Sequence, residues 1–173
     1  MTSGVDGYTA TYPSNGRRKV ATPQNSKLLL GEAGEALVLS RLLRLGHLAS
    51  LAPRNWTSDD ILIHGGQTVQ VKATDKGPRP EWMLGIKIDA SPLRFFALVD
   101  YTDALTPIVY VIASPTLEEV AATADRLYYE QRPNSKPFGS RTVRDGWNHD
   151  VPQYPTGWLQ QYREAWGQLN SQV

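Results

Sequence analysis

Apolar residues recur at helical spacing through "SKLLLGEAGEALVLSRLLRLG", residues 26 to 46, and the run ends on Gly46. That pattern predicts an amphipathic helix, with Asn25 or Ser26 as its amino-terminal cap and Gly46 closing it. The period then changes. "HLASLAP" is a short strand candidate, and "DDILIHGGQTVQVKAT", residues 59 to 74, alternates apolar and polar positions on both sides of Gly65-Gly66, which predicts a β-hairpin. Residues 75 to 92 contain Trp82 and Met83 among prolines and glycines and have room for one further strand. "RFFALVDYT" and "PIVYVIA", rich in β-branched and aromatic residues, read as two more strands, adjacent in space. "SPTLEEVAATADRLYYEQ" predicts a second helix, with Ser114 as cap, Pro115 at its first position and acidic residues in its first turn. Residues 132 to 153 read as a basic loop. "TGWLQQYREAWGQLN" reads as a closing amphipathic helix with Trp158, Leu159, Tyr162, Trp166 and Leu169 on one broad face, turned to the core or to a second copy. Residues 1 to 25, polar and carrying Arg17, Arg18 and Lys19, read as a flexible arm. Helices at the ends and strands in the middle predict an α/β sandwich around a mixed or mostly antiparallel sheet.

At 173 residues the chain fits one domain, residues 26–173, able to bury a core without staples. It has no cysteine, which excludes disulfides, zinc fingers and thiol catalysis and suits a reducing cytoplasm. No apolar run reaches membrane-span length. The net charge of +1 neither supports nor forbids a nucleic-acid partner, so local grouping matters more. Lys76, Arg79, Lys87 and Arg94 form one basic group; Arg126, Arg132, Lys136, Arg141 and Arg144 form another. Lys76, Arg79 and Lys87 are the candidate phosphate contacts.

The hairpin is where chemistry concentrates. Gln70 and Lys72 share a face of their strand and flank the Val71 carbonyl, while Asp60 begins the opposite strand. A carboxylate, an amide oxygen and a main-chain carbonyl are hard oxygen donors of the kind Mg²⁺ takes. The Lys72 ammonium beside them suits a phosphate or an attacking water, and metal-assisted phosphodiester hydrolysis needs all four groups. The plainer reading makes Asp60 a turn residue and Lys72 a solvated strand residue.

Asp60, ten residues before Gln70, followed by Val71 and Lys72, resembles the PD-(D/E)XK signature of the restriction-endonuclease-like nuclease superfamily, with glutamine in the second acidic position. "GEAGE", residues 31 to 35, resembles the Gly-x-x-Gly-Glu pattern on the preceding helix in that superfamily, and "VQVKAT" resembles the subgroup containing some intron-encoded homing endonucleases. The likeness covers about residues 26 to 114. It implies a sandwich whose central mixed sheet has about five strands flanked by helices. It also implies a metal-dependent DNA endonuclease using Mg²⁺ or Mn²⁺; a duplex-cutting enzyme of this size often works as a symmetric homodimer, because one site serves one strand. Glu35, Asp60, Gln70 and Lys72 would be its catalytic residues, with Asp60, Gln70, Val71 and Glu35 at the metal. Glu35 falls on a helical stripe with Leu28, Leu39 and Leu42, hence inward, where a carboxylate needs a metal or a lysine; Glu32, one turn away, is the weaker candidate. Ser58 and Asp59 stand where the signature has its proline, and Gln70 offers a neutral oxygen in place of a carboxylate. The alternative is a catalytically inactive domain of the same fold that binds nucleic acid or a partner protein.

Overall fold

Helix α1 (Ser26–Arg44) ends as its sequence predicts: Gly46 takes φ +90°, and the His47 N–H donates to the Leu42 carbonyl at 3.0 Å, closing the last turn. The coordinates are those of a computed structural model that describes residues 26–53, 59–136, 139–147 and 149–169; the expected arm at residues 1–25 lies outside the described residues. Strands β1 (Ala49–Leu51), β2 (Ile61–Ile63), β3 (Thr68–Thr74), β5 (Arg94–Asp100) and β6 (Ile108–Ala113) form one five-stranded sheet in the order β1-β2-β3-β5-β6. Only the β3–β5 pair is parallel, so the sheet is mixed. Strand β4 (Glu81–Gly85) leaves this sheet to pair with β7 (Arg141–Arg144) in a separate two-stranded ribbon. Helix α2 (Ser114–Gln131) follows β6 directly.

The pleat divides the core. Val69, Val71, Ala97, Val99, Val109 and Val111 turn to α1 and pack on Val38 and Leu42. Phe96, Leu98, Tyr110 and Ile112 turn the other way, under α2 and the ribbon, against Leu117, Val120, Trp82 and Val143. Strand β5 is therefore buried on both faces, which explains its unbroken apolar run. Among the described residues no helix is long and apolar enough to cross a membrane.

Three expectations change. The predicted closing helix is two short 3₁₀ segments, Trp158–Tyr162 and Trp166–Gln168. Between them Arg163 bridges to Tyr110, Glu164 takes φ 50°, and the Glu164 N–H donates to the Val109 carbonyl at 2.8 Å. The exposed edge of β6 offers backbone partners that a continuous helix would have to forgo, and the segment crosses that edge as a strap. Its apolar residues do become buried, but on two faces: Trp158 and Leu159 join the α2 core, Trp166 and Leu169 the α1 core. The Glu164 carboxylate pairs with Arg41, anchoring the strap to α1.

Second, the stretch read as a basic loop contains β7, whose Arg141 pairs with Glu118 and Asp125, and whose Arg144 pairs with Glu81, at 2.7–3.2 Å. Those two cations serve the ribbon. Third, Ser114 does not cap α2. Ala113 holds that position without a side-chain cap bond, the first turn has no acidic residue, and the buried Ser114 hydroxyl donates to the Asp89 carbonyl.

The "GEAGE" glycines separate in role. A Cβ on Gly34 would stand 3.1 Å from Ala73 Cβ and 3.3 Å from Val71 Cγ1, whereas one on Gly31 would meet nothing within 4 Å. Gly34 is thus what lets α1 sit close on β3, directly behind the hairpin chemistry. Gly34→Val is expected to cost about 1–3 kcal/mol of stability by overpacking, read as a lower melting temperature; Gly31→Ala is expected to leave it unchanged or raised.

Candidate active site

Strands β2 and β3 pair only through Ile61↔Val69 and Leu62↔Thr68, while β3 runs on to Thr74 beside β5. The turn that sets this register, His64 to Gly66, has both glycines at positive φ, 96° and 93°, as the sequence predicts. Past Ile61 the strands part. The Asp60 N–H still donates to the Val69 carbonyl at 3.0 Å, and its carboxylate then reaches along β3, Oδ2 accepting the Val71 N–H at 2.7 Å. A side chain thus takes the place of the missing ladder bond.

Alternation fixes the rest. Thr68 and Thr74 bond their backbones to the β5 side, so Val71 turns both its N–H and its carbonyl to the Asp60 side. Gln70 and Lys72 stand on either side of that carbonyl, on the sheet face they share with Phe96 and Leu98. Asp60 and the Val71 backbone are thus joined where β2 leaves β3, with Lys72 near enough to act on the Asp60 charge and Gln70 one position before Val71, its oxygen turned to Arg94. Burial raises the Asp60 carboxyl above its ordinary value of 3.8, with Asp59 adding to the rise; the Val71 N–H, Lys72 and Arg94 oppose it.

This has a consequence for stability. Because the folded-state value exceeds the unfolded one, stability falls as pH rises from 3.8 through the raised value, and the full cost is present above it. Asp60→Asn keeps an oxygen for the Val71 N–H and removes the charge. It is expected to melt higher than wild type near pH 7, the gain vanishing near pH 3, below both values.

Glu35 follows Gly34 and is half-buried. The buried stripe of α1 is Gly34, Val38 and Leu42, and Leu28, assigned to the Glu35 stripe from sequence, is 60% exposed. Glu35 therefore borders the buried stripe. Helix α1 covers the sheet face opposite Gln70 and Lys72, so the fold does not bring Glu35 onto the face those two share. Glu32 is exposed.

The expected phosphate contacts lie outside the sheet. Arg79 and Lys87 are exposed, and Lys76, also exposed, pairs with Glu81 at 2.7 Å. His64, at the turn, is exposed as well. Arg94, grouped with them from sequence, is buried: its Nε lies 2.7 Å from Asp59 Oδ1, and its Nη2 donates to the Gln70 amide oxygen at 3.4 Å. Sequence reading missed this residue. The available signal was Asp59, a second carboxylate beside Asp60 that needs a cation once the strand is buried.

The five-stranded mixed sheet between two helices is the architecture that the sequence resemblance implied. No family model and no curated protein matches the chain. Among solved structures it is similar to the bacterial homing endonuclease I-Ssp6803I, at 18% identity and a TM-score of 0.48, over 82% of this chain and 89% of that one.

Proposed function

We propose that this chain is a metal-dependent endonuclease hydrolysing phosphodiester bonds in DNA, a glutamine variant of the PD-(D/E)XK site. The observation that carries the reading is the Asp60 carboxylate seated on the Val71 N–H, between Gln70 and Lys72, where β2 and β3 part. Among the described residues no group of three His, Cys, Asp or Glu forms a ready cage. Magnesium does not require one, since it usually takes one or two carboxylates and keeps several waters. The donor set fits it: one partly desolvated carboxylate, the amide oxygen of Gln70 and the carbonyl of Val71, with the half-buried Glu35 of α1 as the candidate second carboxylate. Bound there, the ion supplies charge for the phosphate oxygens and a more acidic water.

The remaining work falls to the protein. Asp60 is oriented by the Val71 amide, so it presents its other oxygen without a search over rotamers. Lys72 holds a scissile phosphate oxygen or orients the attacking water as a compact cation. Arg94 donates to Gln70, fixing which atom of that amide is the oxygen. Arg79 and Lys87, with Lys76, give sequence-independent contacts to the DNA backbone, so affinity falls with salt. Because one site serves one strand, a symmetric pair of chains is the simplest assembly for a duplex cut.

The experiment is cleavage of duplex, branched and single-stranded DNA with Mg²⁺ and with Mn²⁺. Activity that chelation abolishes supports the reading; no cleavage of any substrate with either ion sinks it. One observation favours a second reading: the Gln70 oxygen already accepts from Arg94, as a structural amide does. In that case the domain binds nucleic acid or a partner protein without hydrolysis. Metal-independent DNA binding that survives Lys72→Ala would select it.

A further inference from the structure

A cavity of about 410 Å³ opens between the carboxy-terminal half of α2, strand β7 and the segment after it, built without any residue of β2 or β3. That volume lies in the range of small-molecule sites, roughly 300–1,000 Å³. Its walls combine flat rings with charge. His149 stands edge to Tyr128 at 5.5 Å between centroids and tilted against Trp147 at 5.8 Å; its Nε2 is bound to the Ala124 carbonyl at 2.9 Å, which fixes the ring. Arg132, exposed at the rim, lays its guanidinium over Tyr128 at 4.7 Å. Asp125 provides the one carboxylate, and it pairs with Arg141 at 3.2 Å.

Two donors here lack acceptors. Trp147 Nε1 and Arg144 Nε are buried, with no hydrogen-bond partner among the described residues, and both side chains line the cavity. A buried N–H without an acceptor costs free energy, and a side-chain rotation that turns either N–H into the cavity would let a ligand oxygen or ring nitrogen recover it. Elsewhere Arg144 is held in place, its Nη2 being 2.7 Å from Glu81. The fitting ligand thus has a flat face for the rings, acceptors for two N–H groups, a donor for Asp125 and an anionic group for Arg132. A nucleotide carries all four: base edges present acceptors and an exocyclic amine, every base has a π-face, and the phosphate supplies the anion.

We infer that this cavity is a nucleotide-binding subsite, taking either a free nucleotide or one unpaired unit of a strand. The inference stands apart from the hydrolytic reading, because it uses none of the hairpin residues. Calorimetry on the full chain with 2′-deoxyadenosine 5′-monophosphate, with a single-stranded octanucleotide and with inorganic phosphate separates the possibilities. The nucleotide or the octanucleotide is expected to bind more tightly than phosphate; binding of the octanucleotide alone, weakened by the cavity variants below, assigns the cavity to a strand, and binding of the mononucleotide weakened by them assigns it to free nucleotides. Arg132→Gln, at an exposed position, and Trp147→Phe, which keeps an aromatic ring and removes the N–H, are each expected to weaken binding about tenfold with unchanged circular dichroism. The idea is overturned if neither ligand binds at millimolar concentration, if phosphate binds as tightly as the nucleotide, or if both variants bind as wild type does.

Discussion

Lys72→Ala and Asp60→Ala are each expected to reduce magnesium-dependent DNA cleavage to background, a loss on the order of 10²–10⁴-fold, while leaving the sheet intact. Lys72 is half-buried on a strand whose packing residues are its neighbours Val71 and Ala73, which turn to α1, so truncating it removes charge and little packing. Asp60 is held by one backbone bond, and its charge is opposed by burial. The contrast with Asp60→Asn makes the result interpretable. That variant is expected to be more stable near neutral pH and equally inactive, as happens when a charge is retained for chemistry against the interest of the fold. A cleavage assay paired with a thermal melt on the same preparations reads both. Cleavage by Lys72→Ala at the wild-type rate would remove Lys72 from the proposed mechanism.

Arg94→Leu has the largest expected effect on the fold itself. The Arg94 and Asp59 side chains are 8% and 14% exposed, and the pair spans 2.7 Å. Removing the guanidinium leaves Asp59 in a largely closed space without its cation, and breaking such a pair typically costs about 3–5 kcal/mol. That is a large share of the roughly 5–15 kcal/mol that holds a domain together. The loss will show in urea unfolding as a lower midpoint at unchanged slope. The double variant Asp59→Asn with Arg94→Leu is expected to recover much of it, because no charge is then stranded. Equal destabilisation by the single and the double variant would mean that Arg94 acts through its packing over the Phe96 ring, 5.7 Å away, and not through Asp59.

Local periodicity carried the parts of this fold that rest on local contacts. Helix α1 with its closing Gly46, the β2–β3 hairpin and the strands β5 and β6 all follow from repeats of 3.6 or 2 residues within a single element. What was illegible depends on distant partners. The spacing of Trp158, Leu159, Tyr162, Trp166 and Leu169 is truly helical, yet the backbone of β6 outbids that preference at Arg163 and Glu164. Strand β7 is four residues long and finds its partner β4 some sixty positions earlier, which no short window of sequence reports. For the hairpin, alternation predicted Asp60 across from the Gln70 to Lys72 segment, and its carboxylate accepts the N–H of Val71, the middle residue of that segment. Arg94 was invisible because a single arginine at the head of a strand looks the same whether it faces solvent or a buried carboxylate.

The strap across β6 also sets an order in time. Every strand of the main sheet lies within residues 49–113, whereas the Arg41–Glu164 pair joins positions 123 apart. Closing so long a loop is entropically costly and rewards the chain late, so it belongs to the end of folding. During synthesis the hairpin bearing Asp60 and Lys72 can take shape while Trp158, Leu159, Trp166 and Leu169 are still missing from both cores. Until they arrive the β6 edge stays open to other chains, an aggregation liability that the strap removes once it docks.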